Sequence, residues 1–433
     1  METKVNNTNN NNQMQIGGVA ISELTAKYGT PLFVFDQKYI EDISLTYKNS
    51  LENYYGDGLI LYASKAFSAK GIYRLIGNLG LGCDVVSGGE LYTALSAGFN
   101  SNKIYFHGNN KTFNELKYAI ESNVSTIVVD SLQEADDIKK IASELNRVQD
   151  VLIRVNPGVE AHTHHYVQTA NISSKFGFSI SNGDAEKAVL YVKNLKYLNL
   201  KGLHCHIGSQ IFEIKSFLIA TDKMLAFYNE LKNKYSIEFS TLNLGGGFGI
   251  KYTENDPELT LSDYENFIKE ISYRVKDKIA EYGLKKPFLI FEPGRSIVAN
   301  AGTTLYTVGN VKEIKDVKSY LAVDGGMFEN PRFALYQSRY TVIAPEKLNE
   351  EKTNKYTIAG KCCESGDIIA EDVMLPEMKK GDILAVLATG AYNYSMSSNY
   401  NRNLIPPVVI VKDGVSNYLV KPQTYEDLIR NDV

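Results

Sequence analysis

Lys65 stands in the stretch LYASKAF (61–67), directly after a run of strand-forming apolar residues. A lone lysine is usually ion-paired or snorkels along an apolar surface. At the mouth of a barrel, however, an ammonium group can be desolvated, and a neutral amine forms a Schiff base with an aldehyde. A second stretch, NLGGGFGI (243–250), sets three glycines in a row, where backbone N–H groups can converge on an anion. EPGR (292–295) adds Gly294, and Ser209 in HIGSQ (206–210) adds a hydroxyl donor. An aldehyde-reactive lysine beside an anion cradle points to pyridoxal phosphate. Glu292 is a carboxylate suited to the cofactor's ring nitrogen, which must stay protonated for the ring to act as an electron sink. His206 is placed to stack on the ring. His204 and His206 point the same way from an extended segment, so a divalent metal is the competing reading. That reading needs further ligands, and of the six histidines three belong to HTHH (162–165), in a loop.

These residues can act together only if the chain gathers them. Eight β-branched runs recur: LILYASK (59–65), CDVVS (83–87), KIYFH (103–107), STIVVD (125–130), DVLIRVN (150–156), LKGLHCH (200–206), TLNLGG (241–246) and PFLIFE (287–292). Amphipathic stretches such as SLQEADDIKKIASELN separate most of them. The alternation predicts a TIM-like (β/α)8 barrel over residues 37–294, of roughly 250 residues. The rival, a doubly wound open sheet, carries a glycine fingerprint after its first strand, and this chain has none there. Barrels place working residues at the C-terminal strand ends. Here those ends are Lys65, Asp84 with Ser87, His107, Asn156, His206 with Ser209, Gly245 to Gly247, and Glu292 with Arg295. Residues 295–433 carry runs such as TTLYTVGNV and PPVVIVKDG with turn signals and few helical patterns. They predict an α/β plus all-β chain, the β-rich domain also taking a strand from residues 16–36. Residues 1–15 are asparagine-rich and are expected to be disordered.

Composition narrows the function classes. The chain has 433 residues, 44% hydrophobic and 22% charged, with a formal net charge of −4. That is material for a large core, with neither a nucleic-acid footprint nor a polybasic membrane surface. The four cysteines form no CxxC pair, which argues against a disulfide framework or a structural zinc site. The start lacks the basic and apolar regions of a signal peptide, and no apolar run reaches membrane-spanning length, so the cytoplasm is the expected location.

The stretches YASKAF, HCHIGSQI, NLGGGFGI, EPGRSIVANAG, CCESGD and GAYNYSMSSNYN, in that order, resemble the fold-type III pyridoxal-phosphate decarboxylases, the branch acting on diaminopimelate most closely. The resemblance covers nearly the whole chain, although Phe67 stands where the family's lysine motif has asparagine. It implies that Lys65 carries the cofactor, that His206 stacks on it and that Glu292 pairs with its ring nitrogen. It assigns Ser209, Gly246, Gly247 and Gly294 to the phosphate, with Arg295 and Tyr392 in the cofactor region. It makes Cys363 the proton donor to the α-carbon, and Arg295, Arg332, Tyr336, Glu364 and Tyr392 the substrate contacts. Arginines suit the distal carboxylate of diaminopimelate and a glutamate suits its distal ammonium. The implied products are L-lysine and carbon dioxide, and the implied assembly is a homodimer in which CCESGD of one copy reaches the other's site. Decarboxylation of ornithine, lysine, arginine or carboxynorspermidine is the nearest alternative. A racemase of this fold would have arginine in place of Glu292, and a metal-dependent hydrolase is a more distant reading.

Overall fold

The computed structural model describes residues 14–159 and 174–433. The HTHH group lies outside them, as do residues 1–13 of the asparagine-rich start. The last two residues of that start are ordered: Met14 is fully buried, and Gln15–Ile16 pairs antiparallel with Val19–Ala20. The chain divides into two compact units. One comprises the residues up to Asp42, Ile250–Glu258 and Ser296–Val433, and the other comprises Ile43–Gly249 and Leu259–Arg295. The segment Ile250–Glu258, inside the barrel range expected from sequence, thus groups with the β-rich unit.

The second of these units is a closed parallel barrel. Its strands are β1 (Gly58–Ala63), β2 (Gly82–Val85), β3 (Ile104–Phe106), β4 (Thr126–Val129), β5 (Gln149–Asn156), β6 (Leu198–His204), β7 (Thr241–Asn243) and β8 (Phe288–Phe291). Neighbours pair in chain order, β6 pairs with β5, and β8 returns to β1, so no edge is left. Leu61, Tyr105, Val128, Leu152 and Ile290 cluster as a solid interior. Hydroxyl side chains start the intervening helices. Ser87, Thr112, Ser131 and Thr260 each accept a backbone N–H at the N-cap of the helix that follows. Two strands stop short of their sequence runs. β1 ends at Ala63, which puts Lys65 on the one-turn helix Ser64–Ala66, and β6 ends at His204, which puts His206 beyond the strand.

The other unit is β-rich and hangs on the long strand Gly302–Ile314. That strand pairs antiparallel with Leu32–Asp36 through Gly302–Leu305, with Ile383–Leu387 through Thr303–Thr307, and with Lys318–Val323 from Val308 onward. Leu32–Asp36 also pairs in parallel with Val408–Lys412. The N-terminal stretch therefore supplies an interior strand to this sheet, as its sequence predicts. Leu32 to Phe35 are completely buried.

Within the barrel, β6 and β7 approach closely at Gly202. A Cβ there would collide with the Thr241 carbonyl, and it would meet the Tyr228 hydroxyl at 3.1 Å. That hydroxyl accepts from the Leu203 N–H at 3.0 Å and donates to the Thr241 carbonyl at 2.6 Å. Gly202→Ala is expected to lower stability by about 1–3 kcal/mol, the usual cost of overpacking. Denaturant unfolding checks this, with an unchanged midpoint as the contrary result.

Candidate active site

Glu292 follows β8 and is buried, where an isolated charge would cost several kcal/mol. Three other strand ends supply its partners. His107, next after β3, brings Nε2 to 2.8 Å from Oε1. His204, the last residue of β6, brings Nε2 to 3.2 Å from Oε2. Asn243, the last residue of β7, donates its amide to Oε1 at 2.7 Å and accepts the Gly245 N–H at 2.9 Å. Burial pushes the Glu292 carboxyl up, but the two imidazoles outweigh it and hold the group well below the ordinary carboxylate range. Burial pushes His204 the other way, down to about 4, so its ring is neutral. An ionised carboxylate only accepts, so His204 carries its proton on Nε2, and its buried Nδ1 is left without a hydrogen-bond partner. The two rings meet edge to face, centroids 4.7 Å apart. The competing metal reading paired His204 with His206. The ligand atoms that lie together, within 4.8 Å, are instead those of His107, His204 and Glu292.

Around this carboxylate sit the other barrel residues that the sequence nominates. Asp84, on β2, is buried, and its carboxyl lies well above the ordinary range because of burial and then the Glu292 charge; Lys65 pulls the other way. His206 is half-buried and stays well below its ordinary value through burial and then the positive charge of Lys65. Its Nδ1 accepts the Gly246 N–H at 3.4 Å. Lys65 and Glu292 thus act on the same two neighbours. Lys65 itself is exposed. Arg295 donates to the Ser209 hydroxyl through Nε at 3.2 Å and Nη2 at 3.0 Å, joining a residue expected at the phosphate to one expected at both cofactor and substrate. The glycines next to them are structural necessities. A Cβ at Gly246 would collide with the Glu292 carbonyl, one at Gly294 would meet the Ala63 Cβ at 2.7 Å, and Gly247 adopts φ +113°. Main chain rather than side chains forms that corner.

These groups fit pyridoxal phosphate. An accessible amine suits its aldehyde, an ionised carboxylate suits a protonated ring nitrogen, and a neutral imidazole suits the ring face. A guanidinium, a hydroxyl and a glycine-built corner suit the phosphate. Two other strand-end residues have structural roles. Ser87 caps a helix, and the Asn156 side chain accepts the Gly158 N–H at 2.9 Å. Sequence reading missed Asn243, and it missed His107 as a partner of Glu292. The signal for Asn243 was an amide between two leucines in TLNL, since a buried amide requires a partner.

The β-rich unit gathers the remaining nominees into two groups. Arg332 is buried, donates to the Tyr340 hydroxyl at 2.8 Å and lies 5.5 Å from the ring centroids of both Tyr336 and Tyr392. Tyr392 holds φ +66°, a strained conformation for a residue with a side chain. Cys363 and Glu364 are exposed on a loop pinned by Asp367, whose carboxylate accepts the Met327 N–H at 2.6 Å and the Cys362 N–H at 2.7 Å. Burial and then Asp367 push Cys362 up to about 12. Of the two adjacent thiols Cys363 is the exposed one.

Residues 40–299 match the family model described as pyridoxal-dependent decarboxylase, pyridoxal binding domain. The chain is 46% identical over 425 residues to the diaminopimelate decarboxylase of Bacillus subtilis, covering 98% of this chain and 96% of that protein. It is 45% identical over 428 residues to that of Staphylococcus aureus, covering 98% of both. The crystal structure of diaminopimelate decarboxylase from M. jannaschii matches with a TM-score of 0.90 at 37% identity, over 98% of this chain and 97% of that one. The same enzyme in co-complex with L-lysine matches with a TM-score of 0.89 at 37% identity, over 97% and 96%.

A neutral, buried His204 makes stability depend on pH. Its value is about 4 in the fold against an ordinary 6.5. As pH falls the unfolded chain takes up the proton first, so stability is present above about 6.5 and is lost down to about 4. A displacement of this size is worth about 3 kcal/mol. Urea unfolding across that window should show the parent chain losing about 2–3 kcal/mol more than His204→Gln, and parallel curves would contradict this origin.

Proposed function

Because this chain belongs to the pyridoxal-dependent decarboxylase family, we propose that it removes one carboxyl group from meso-2,6-diaminopimelate, giving L-lysine and carbon dioxide, the last step of lysine biosynthesis. The observation that carries this reading is the ionised Glu292, buried among His107, His204 and Asn243 and acting on the same neighbours as the accessible amine of Lys65. Pyridoxal phosphate supplies there an electron sink for the pair left when the bond to the carboxylate breaks.

The chain's own residues have distinct tasks. Lys65 is the covalent attachment point. Glu292 keeps a negative charge where the ring nitrogen must hold its proton, and burial together with that charge raises the Asp84 carboxyl well above its ordinary range. His206 offers a neutral face to the ring. Arg295, Ser209, Gly246, Gly247 and Gly294 bind the phosphate, with Tyr392 in the same region. Arg332 grips the distal carboxylate and Glu364 the distal ammonium, with Tyr336, Tyr392 and Arg295 completing the substrate contacts. Cys363 Sγ delivers a proton to the carbon that has lost carbon dioxide. Ornithine and lysine carry a distal ammonium without a carboxylate, so Arg332 would repel them. We further propose a cytoplasmic homodimer in which the Cys363 loop of one copy completes the site of the other. Among the described residues no helix is long and apolar enough to cross a membrane.

Lys65→Ala should lose the visible absorbance of the bound cofactor and nearly all activity, and retention of both would refute the cofactor attachment. Cys363→Ala should keep its fold and cofactor while turnover falls about 10²–10⁴-fold, the usual worth of a general acid. Unchanged turnover would move that role to another residue. Carbon dioxide release from a panel of diaminopimelate, ornithine, lysine and arginine should be fastest with diaminopimelate.

A further inference from the structure

Lys111 has no task in the reading above, yet its charge is almost wholly buried: its side chain is 1% exposed and that of its partner Glu134 is 4% exposed. The ammonium ties three pieces of the barrel together. It lies 2.8 Å from Glu134 Oε1, in the first turn of the helix Leu132–Glu144. It donates to the Val128 carbonyl on β4 at 2.8 Å and to the Gly108 carbonyl at 2.6 Å. It also packs 5.9 Å from the centroid of the Phe106 ring. Phe106 and Gly108 are the residues before and after His107 in the chain, so Lys111 lies over the ring of one and bonds the carbonyl of the other. The chain turns directly after His107 at Gly108, with φ +123°, a conformation closed to ordinary side chains. The His107 N–H is itself bonded to the Val85 carbonyl at 2.8 Å.

A buried ion pair is a weak source of stability, because desolvation largely cancels the attraction, and an apolar pair of similar volume fills the same space. An apolar pair cannot, however, donate to two carbonyls and so hold a glycine turn. We propose that Lys111 is a positioning residue: with Glu134 as its counter-ion it locks the turn after β3, so that His107 faces Glu292 and that carboxylate keeps the charge and direction the cofactor's ring nitrogen requires. This inference rests on the pyridoxal phosphate reading of the site.

The test measures two properties of purified protein: the dissociation constant for pyridoxal phosphate and the visible absorption maximum of the bound cofactor. The variants are Lys111→Met, His107→Gln, the two combined, and Lys111→Met with Glu134→Leu. Lys111→Met should weaken cofactor binding at least tenfold and move the band in the same direction as His107→Gln. The combined Lys111→Met and His107→Gln variant should bind no more weakly than the worse single one, since both changes break the same link. Lys111→Met with Glu134→Leu leaves no orphaned charge, so it should fold even if Lys111→Met does not, and it should show the same band shift. An unmoved band with unchanged affinity in that variant, its failure to fold, or multiplying effects of Lys111→Met and His107→Gln would overturn the positioning role alone. A parent chain that takes up no pyridoxal phosphate would overturn the proposed function, and this role with it.

Discussion

A negative charge deep inside a barrel is the constraint on which the rest of the site depends. Glu292 can stay ionised only if the fold replaces the water it has lost. It does so with one group from each of three other strands, His107 after β3, His204 on β6 and Asn243 on β7, against Glu292 after β8. The closed barrel sets the ends of β3, β6, β7 and β8 around one interior, so residues far apart in sequence meet there.

The same low-dielectric interior sets the protonation of the groups around that charge. A second carboxylate beside Glu292 would be costly, and the Asp84 carboxyl is accordingly raised well above its ordinary range. Burial keeps two imidazoles neutral, His204 against the pull of Glu292 and His206 with the help of the Lys65 charge. The site thus holds one reliable negative charge at its base. A ring that must remain a pyridinium needs that arrangement.

The β-rich unit solves a different problem, the display of reactive groups on loops. Gly302–Ile314 gives it a spine shared by three strands, with Leu32–Asp36 inserted from the start of the chain. From that rigid base Asp367 uses both carboxylate oxygens to pin the loop that exposes Cys363. Arg332 is fixed by Tyr340 and flanked by the rings of Tyr336 and Tyr392.

The barrel was legible because its signal is periodic and local. Eight β-branched runs alternate with amphipathic stretches, and the chain's own hydroxyl caps start the helices between them. Lys65, the glycines from 245 to 247, Glu292 and Arg295 were nominated together because their combination, not any one polar residue near a strand end, suits one cofactor. Other features were not, because they depend on which distant strand lies opposite. A barrel mouth can desolvate a lysine, but Lys65 is exposed, since desolvation is a property of the neighbours and not of the residue. His204 was paired with His206 by alternation along one segment, but its contacts are with His107 and Glu292 across the barrel. Asn243 and Lys111 carry no motif at all. Sequence by itself therefore determined the architecture and the cofactor class, which follow from local pattern, from chemistry and from the order of the motifs. Tertiary structure alone decided which groups are charged, because burial and through-space neighbours set protonation, and neither is written along the chain.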